Sequence, residues 1–129
     1  ALISCMAVLC FQIMENNPNS LLEDLLNIHN TLTEYIQTHY ITLAYLKFNH
    51  KNYELNYSYA AHHPVLLIRD SQVIELEGKG TPLIIIKNFI SEENKIQLKK
   101  GDKIILFSDG IYETFDEKKD ILGYDHFVN

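Results

Sequence analysis

The sequence has no tryptophan, only two cysteines, three prolines and five glycines in 129 residues. Cys5 and Cys10 are too few for a disulfide framework. They lie five apart in an apolar run, which suits reduced core thiols better than a disulfide or a zinc site. That points to a reducing, cytoplasmic setting. Basic residues are scarce, 11 against 17 acidic, for a net charge of -6. The two parts divided at Pro64 carry 2 basic and 5 acidic residues, then 9 and 12, so each is -3 and no basic arm exists. Nucleic acid is thereby excluded as the main partner, because phosphate neutralisation dominates such binding. Long hydrophobic runs are also missing. Residues 1–14 lack charge but include Gln12 and fall short of the roughly 20 apolar residues of a spanning helix. A signal peptide would need a basic start, so a buried helix over residues 2–15 is expected and a membrane role is not.

What remains is an ordinary globular composition, 47% hydrophobic and 22% charged, with room for one domain. Asn17-Pro18 reads as a helix start, with Asn as N-cap and Pro at the first helical position. Leu21, Leu25, Ile28, Leu32 and Ile36 recur at helical spacing, so an amphipathic helix is expected over residues 18–38 and should pack on the first. From Ile41 the period shortens. Strands are expected over residues 41–48 and 53–59, joined by a turn at residues 49–52. Residues 65–69 and 72–77 read as strands about an Asp70-Ser71 turn, and residues 78–82 as a loop. Residues 83–86 read as a short buried strand or the approach to one. Residues 95–98 and 103–107 are expected to form a last hairpin, and residues 124–129 to begin a helix. Helices on an antiparallel sheet make the class α+β.

Among chemistry-bearing residues Asp109 stands out. It follows the apolar run Ile104-Ile105-Leu106-Phe107 and precedes Gly110. A carboxylate at the end of a rigid strand can hold a hard divalent cation, and a glycine lets the backbone turn sharply or approach a ligand. A plain Asp-Gly turn accounts for the same residues. His62 and His63 are adjacent, so in an extended segment they point to opposite sides and cannot together ligate one metal; a structural turn is expected there. Gly78-Lys79-Gly80 lacks the following helix of a phosphate-cradling loop. Glu113, Asp116, Glu117, Lys118, Lys119 and Asp120 read as a solvated loop, and neither Ser4 nor Ser108 has a positioned base.

Residues 59–69, Tyr-Ala-Ala-His-His-Pro-Val-Leu-Leu-Ile-Arg, and residues 80–83, Gly-Thr-Pro-Leu, resemble the Ala-Gly-Ala-His-Asn-Pro strand entry and the Gly-x-Pro-Leu-Gly loop of the SpoIIE-like (RsbU-like) family of bacterial protein phosphatases. Residues 98–113 match its most distinctive block, a Pro-Gly-Asp hairpin leading into Thr/Ser-Asp-Gly-x-x-Glu. Asn27, Asn30 and Thr42 resemble the preceding helix and strand. The resemblance implies the metal-dependent, type 2C-like (PPM) phosphatase fold, two stacked antiparallel sheets flanked by helices. It also implies two manganese or magnesium ions that activate a water against phosphoserine or phosphothreonine. Asp109 is then a metal ligand. The implied partners are phosphorylated STAS-type proteins, the anti-sigma-factor antagonists of partner-switching pathways.

The departures also matter. The family's Gly-Asp segment and Asp-x-Ser-Gly-His-Gly metal loop would precede Ala1, and its Asp-Asp-x-Thr strand would follow Asn129. Residues 1–129 are therefore expected to be the middle portion of such a domain, a partial β-sandwich with two packed helices that keeps Asp109 alone of the metal aspartates. By itself it should be inactive, and its uncovered strand edges predict self-association. Ala60 and Ile84 replace family glycines, and His63 replaces Asn or Pro. The rival reading is a non-catalytic relative that binds a partner or dimerises; a third is an unrelated small α+β ligand-binding domain.

Overall fold

The structure, a computed structural model, describes residues 20–114, 121 and 123–128. The helix expected over residues 2–15, the Asn17-Pro18 start and the acidic stretch 116–120 lie outside the described residues. The described residues fall into two compact units: residues 20–62 with 78–99, and residues 63–77 with the described residues from 100 onward.

In the first unit α1 runs Leu21–Tyr35. It starts later than the expected residue 18, because Ser20 and Glu23 form a capping box: the Ser20 hydroxyl accepts from Glu23 N at 3.2 Å and the Glu23 carboxylate from Ser20 N at 3.1 Å. It stops before residue 38 because Ile36 turns to extended backbone. Leu21, Leu25, Ile28 and Leu32 are buried along one face, as their spacing requires. Ile28 and Leu32 join a core cluster with Ala60, Leu83 and Ile84.

Strands β1 (Leu43–Asn49), β2 (Glu54–Ala60) and β5 (Glu93–Gln97) form an antiparallel sheet in the order β1-β2-β5. The β1–β2 hairpin pairs Leu43 with Ala60 and Asn49 with Glu54, about the expected turn. The alternating burial expected of β2 holds for its first half and gives way to burial on both faces from Tyr57 to Ala60. Ser58 tolerates this because its hydroxyl meets Ser91 Oγ at 2.7 Å.

Two features of α1 carry polar groups into this interior. Asp24 is buried at 2% exposure, where it accepts from Lys47 Nζ at 3.0 Å and Tyr45 OH at 2.8 Å. Burial, reinforced by Asp24, pushes the Tyr45 hydroxyl well above its ordinary pKa. Lys47→Met would leave the buried carboxylate with the Tyr45 hydroxyl but without its cation, so unfolding by urea is expected to show a loss of about 2 kcal/mol, below that of a fully buried pair because Lys47 is partly exposed. A loss below about 1 kcal/mol would mean the pair behaves as a surface bridge. The second feature is His29, whose Nδ1 accepts from Ile84 N at 3.1 Å. Ile84 has φ +82°, a left-handed conformation costly for a β-branched residue. It stands where the resemblance expects glycine, and its burial together with the His29 bond holds it there. The short strand expected over residues 83–86 therefore does not form: Leu83 makes a single bridge to Ile41, the chain then turns, and Ile85 and Ile86 are exposed.

In the second unit β3 (Val65–Arg69) lies between β4 (Gln72–Leu76) and β6 (Lys103–Ile105), all antiparallel. Asp70 and Ser71 both have positive φ, 50° and 64°, as a two-residue hairpin turn matching strand twist requires. The hairpin expected between residues 95–98 and 103–107 is absent. β5 pairs with β2 and β6 with β3, in different sheets. The turn-like Lys99-Lys100-Gly101-Asp102 stretch links two sheets because each strand finds a better partner elsewhere. Ile104 and Ile105 pair with Leu67 and Leu66, and Arg69 grips Asp102 through two bonds, Nε to Oδ1 at 3.0 Å and Nη2 to Oδ2 at 2.6 Å. Helix α2 (Tyr124–Val128) appears where a helix was expected. The described residues thus form two antiparallel sheets and two helices, the α+β class read from the sequence. No helix among them is long and apolar enough to cross a membrane.

Candidate metal-ligand turn and its aromatic support

β6 ends at Ile105, two residues earlier than expected, and a 3-10 turn, Asp109–Ile111, follows after Ser108. Asp109 opens that turn and is exposed. Its carbonyl, not its carboxylate, accepts the turn's hydrogen bonds, from Tyr112 N at 3.0 Å and Glu113 N at 2.9 Å. The carboxylate thus stands on a defined backbone without being needed to hold it. Gly110 is less constrained than the sequence reading supposed. Its φ is not positive, and an added Cβ would meet only Ser108 Oγ at 3.7 Å, so the protein's own packing does not require glycine there.

Phe107 and Tyr112, which flank the turn, belong to a cluster of rings that the sequence reading missed. His63 stacks on Phe107 with centroids 5.6 Å apart and planes 1° from parallel. Tyr112 meets His63 edge-on at 5.6 Å, and its hydroxyl shares a hydrogen bond of 3.1 Å with His63 Nδ1. Tyr124 and Phe127 of α2 close on the same two aromatics, Tyr124 lying 5.5 Å from Tyr112 and Phe127 4.9 Å from Phe107. Burial raises the pKa of the Tyr112 hydroxyl, with the carboxylates of Asp109 and Glu113 adding to it. Burial beside Glu75 pushes Tyr124 up to about 12. Both phenols therefore stay protonated through the neutral range. No linear spacing joins His63 to residues 107–127; only the β3–β6 pairing does.

The other candidates sort out by position. His62 and His63 follow a bend at Ala61 (φ 49°), the structural role expected of them. Asp102 is committed to Arg69 and 5% exposed, so it is no free ligand. Glu113 is exposed beside the Asp109 turn. The loop 78–80 is packed against Tyr59 rather than open to a phosphate. In the first unit an apolar groove of about 260 Å³ is lined by Leu22, Leu26, Phe89, Ile90 and Ser91; its one hydroxyl, Ser91, donates to Tyr59 O at 2.6 Å.

As a single ligand Asp109 fits a hard divalent cation: an exposed carboxylate on a backbone-fixed turn at a strand end. A complete centre is not supplied by the described residues, among which no group of three or more His, Cys, Asp or Glu could hold a metal ion.

The family described as Stage II sporulation protein E (SpoIIE) matches residues 1–129 of this chain. The chain belongs to the SpoIIE family. The phosphoserine phosphatase RsbU of Bacillus subtilis (strain 168) is 34% identical over 80 residues, 60% of this chain and 24% of RsbU. The phosphatase domain of the cell fate determinant SpoIIE from Bacillus subtilis, Mn presoaked, shares the fold. Its TM-score is 0.53, at 23% identity over 82% of this chain and 47% of that one. A second structure of that domain gives a TM-score of 0.51 at 26% identity, covering 84% and 49%. The chain thus spans about a quarter of RsbU and about half of each solved phosphatase chain. Its two sheets and two helices match part of the fold of the SpoIIE phosphatase domain.

Proposed function

We propose that residues 1–129 are the middle portion of a divalent-metal-dependent phosphatase domain that removes phosphate from phosphoserine or phosphothreonine on a cytoplasmic signalling protein. The observation that carries this reading is the exposed Asp109 on its 3-10 turn after β6, in a chain matched along its whole length by the SpoIIE family. The manganese soak of the SpoIIE phosphatase domain and the phosphoserine activity in the name of RsbU support metal and substrate class. When bound, manganese or magnesium would lower the pKa of a water and neutralise charge on the phosphoryl oxygens. This chain's part is to hold one carboxylate in place; the remaining ligands come from outside the described residues. The substrate this reading favours is a phosphorylated STAS-type antagonist of an anti-sigma factor.

The test is phosphate release from a phosphoserine-bearing STAS protein by the intact gene product, with manganese and with a chelator. Release that requires the metal supports the reading. A protein that binds the STAS partner tightly yet releases no phosphate at any manganese or magnesium concentration would establish the rival, a non-catalytic binding module.

A further inference from the structure

The turn that carries Asp109 is weak by itself. It is one 3-10 turn of three exposed residues, it includes a glycine, and Ser108 gives it no side-chain cap. Such turns hold poorly without outside support. The support comes from the residues that flank it. Phe107 lies two positions before Asp109 and Tyr112 three after, and their rings meet at 6.3 Å in an edge-on pair. His63, at the entry to β3, touches both: it stacks on Phe107 and shares its Nδ1 with the Tyr112 hydroxyl. Ring packing is tolerant of small rotations. The His63–Tyr112 hydrogen bond is directional and part-buried, so it restrains the residues flanking the turn more sharply than ring packing does.

We propose that His63 and Tyr112 are positioning residues that, through this hydrogen bond, aim the Asp109 carboxylate at its cation. This rests on the reading of Asp109 as a metal ligand. His63 stands where the family resemblance expects Asn or Pro, so the arrangement is a property of this chain rather than of the family pattern. Groups that orient a ligand without touching the metal commonly change its affinity by about 10- to 100-fold. Here the bond acts through a backbone turn, and the low end applies.

The test uses the intact gene product and reads the dissociation constant for manganese by calorimetric titration, with thermal unfolding measured alongside. Tyr112→Phe keeps the ring and removes the hydroxyl; His63→Phe keeps a stacking ring and removes Nδ1. Each is expected to weaken manganese binding about 10-fold with little change in unfolding temperature. The double variant should be no weaker than either single one, because both remove the same bond. Unchanged affinity in the single variants, or losses that multiply in the double, would overturn the proposal. So would affinity that falls only in step with the unfolding temperature, since that marks general loosening. Asp109→Asn in the same titration separates the two ideas. If it abolishes binding while the His63 and Tyr112 variants do nothing, only the positioning role is wrong. If it leaves binding intact, Asp109 is not a ligand and both ideas fall.

Discussion

Asp109→Asn should reduce metal-dependent phosphate release by the intact protein at least about 100-fold, while the folded protein keeps its stability to within about 0.5 kcal/mol. The two halves of that expectation have separate physical grounds. Asparagine keeps the shape and one oxygen but removes the charge, and a hard divalent cation loses an anionic ligand for a neutral one. Stability is spared because Asp109 is exposed and its carbonyl, not its side chain, accepts the bonds from Tyr112 and Glu113. Phosphate release is measured over a manganese series and stability by urea unfolding. Activity within about threefold of the parent at limiting manganese would remove Asp109 from the metal site. A large fall in stability would instead place its carboxylate in the fold.

Gly80→Ala should cost about 4 kcal/mol or more, among the largest effects open to a single methyl group. A Cβ on Gly80 would stand 1.8 Å from the carbonyl oxygen of Tyr59 and 2.8 Å from its carbonyl carbon. Those are backbone atoms of β2, the central strand of its sheet, and cannot swing aside as a side chain would. The Gly80 carbonyl also accepts from Ala61 N at 3.0 Å, and Gly80 bridges Ser91, so retreat breaks further bonds. Domains of this size hold only about 5–15 kcal/mol in all, and the variant should be largely insoluble or unfold at low urea. Gly110→Ala is the control. Its added Cβ meets nothing closer than 3.7 Å and its φ is not positive, so it should change stability by less than about 1 kcal/mol. Equal losses in the two variants would mean that backbone freedom, not the clash with Tyr59, sets the cost.

Much of the local structure was legible because local chemistry decided it. Leu21, Leu25, Ile28 and Leu32 at helical spacing marked the buried face of α1. Asp70-Ser71 between two apolar runs marked the β3–β4 hairpin. The start of α1 was misread because the Asn17-Pro18 signal competed with a capping box three residues on, at Ser20 and Glu23. The strand expected at residues 83–86 failed for a reason no propensity carries: Ile84 is held at positive φ by a distant histidine.

The candidate site divides the same way. Asp109 was visible because the apolar run before it and the glycine after it are neighbours in the chain. Its support was not, because His63 and Tyr112 are 49 residues apart and meet through the β3–β6 pairing. Sequence periodicity and turn chemistry are near-neighbour properties. They therefore determined most of the described elements, the α+β class, the net negative charge and the one carboxylate singled out for testing. Choice of strand partner depends on which apolar faces find each other across long stretches of chain. Only the tertiary structure could decide that β5 and β6 part into different sheets, that Gly80 presses on Tyr59, and that His63 meets the rings of Phe107 and Tyr112 on either side of the aspartate.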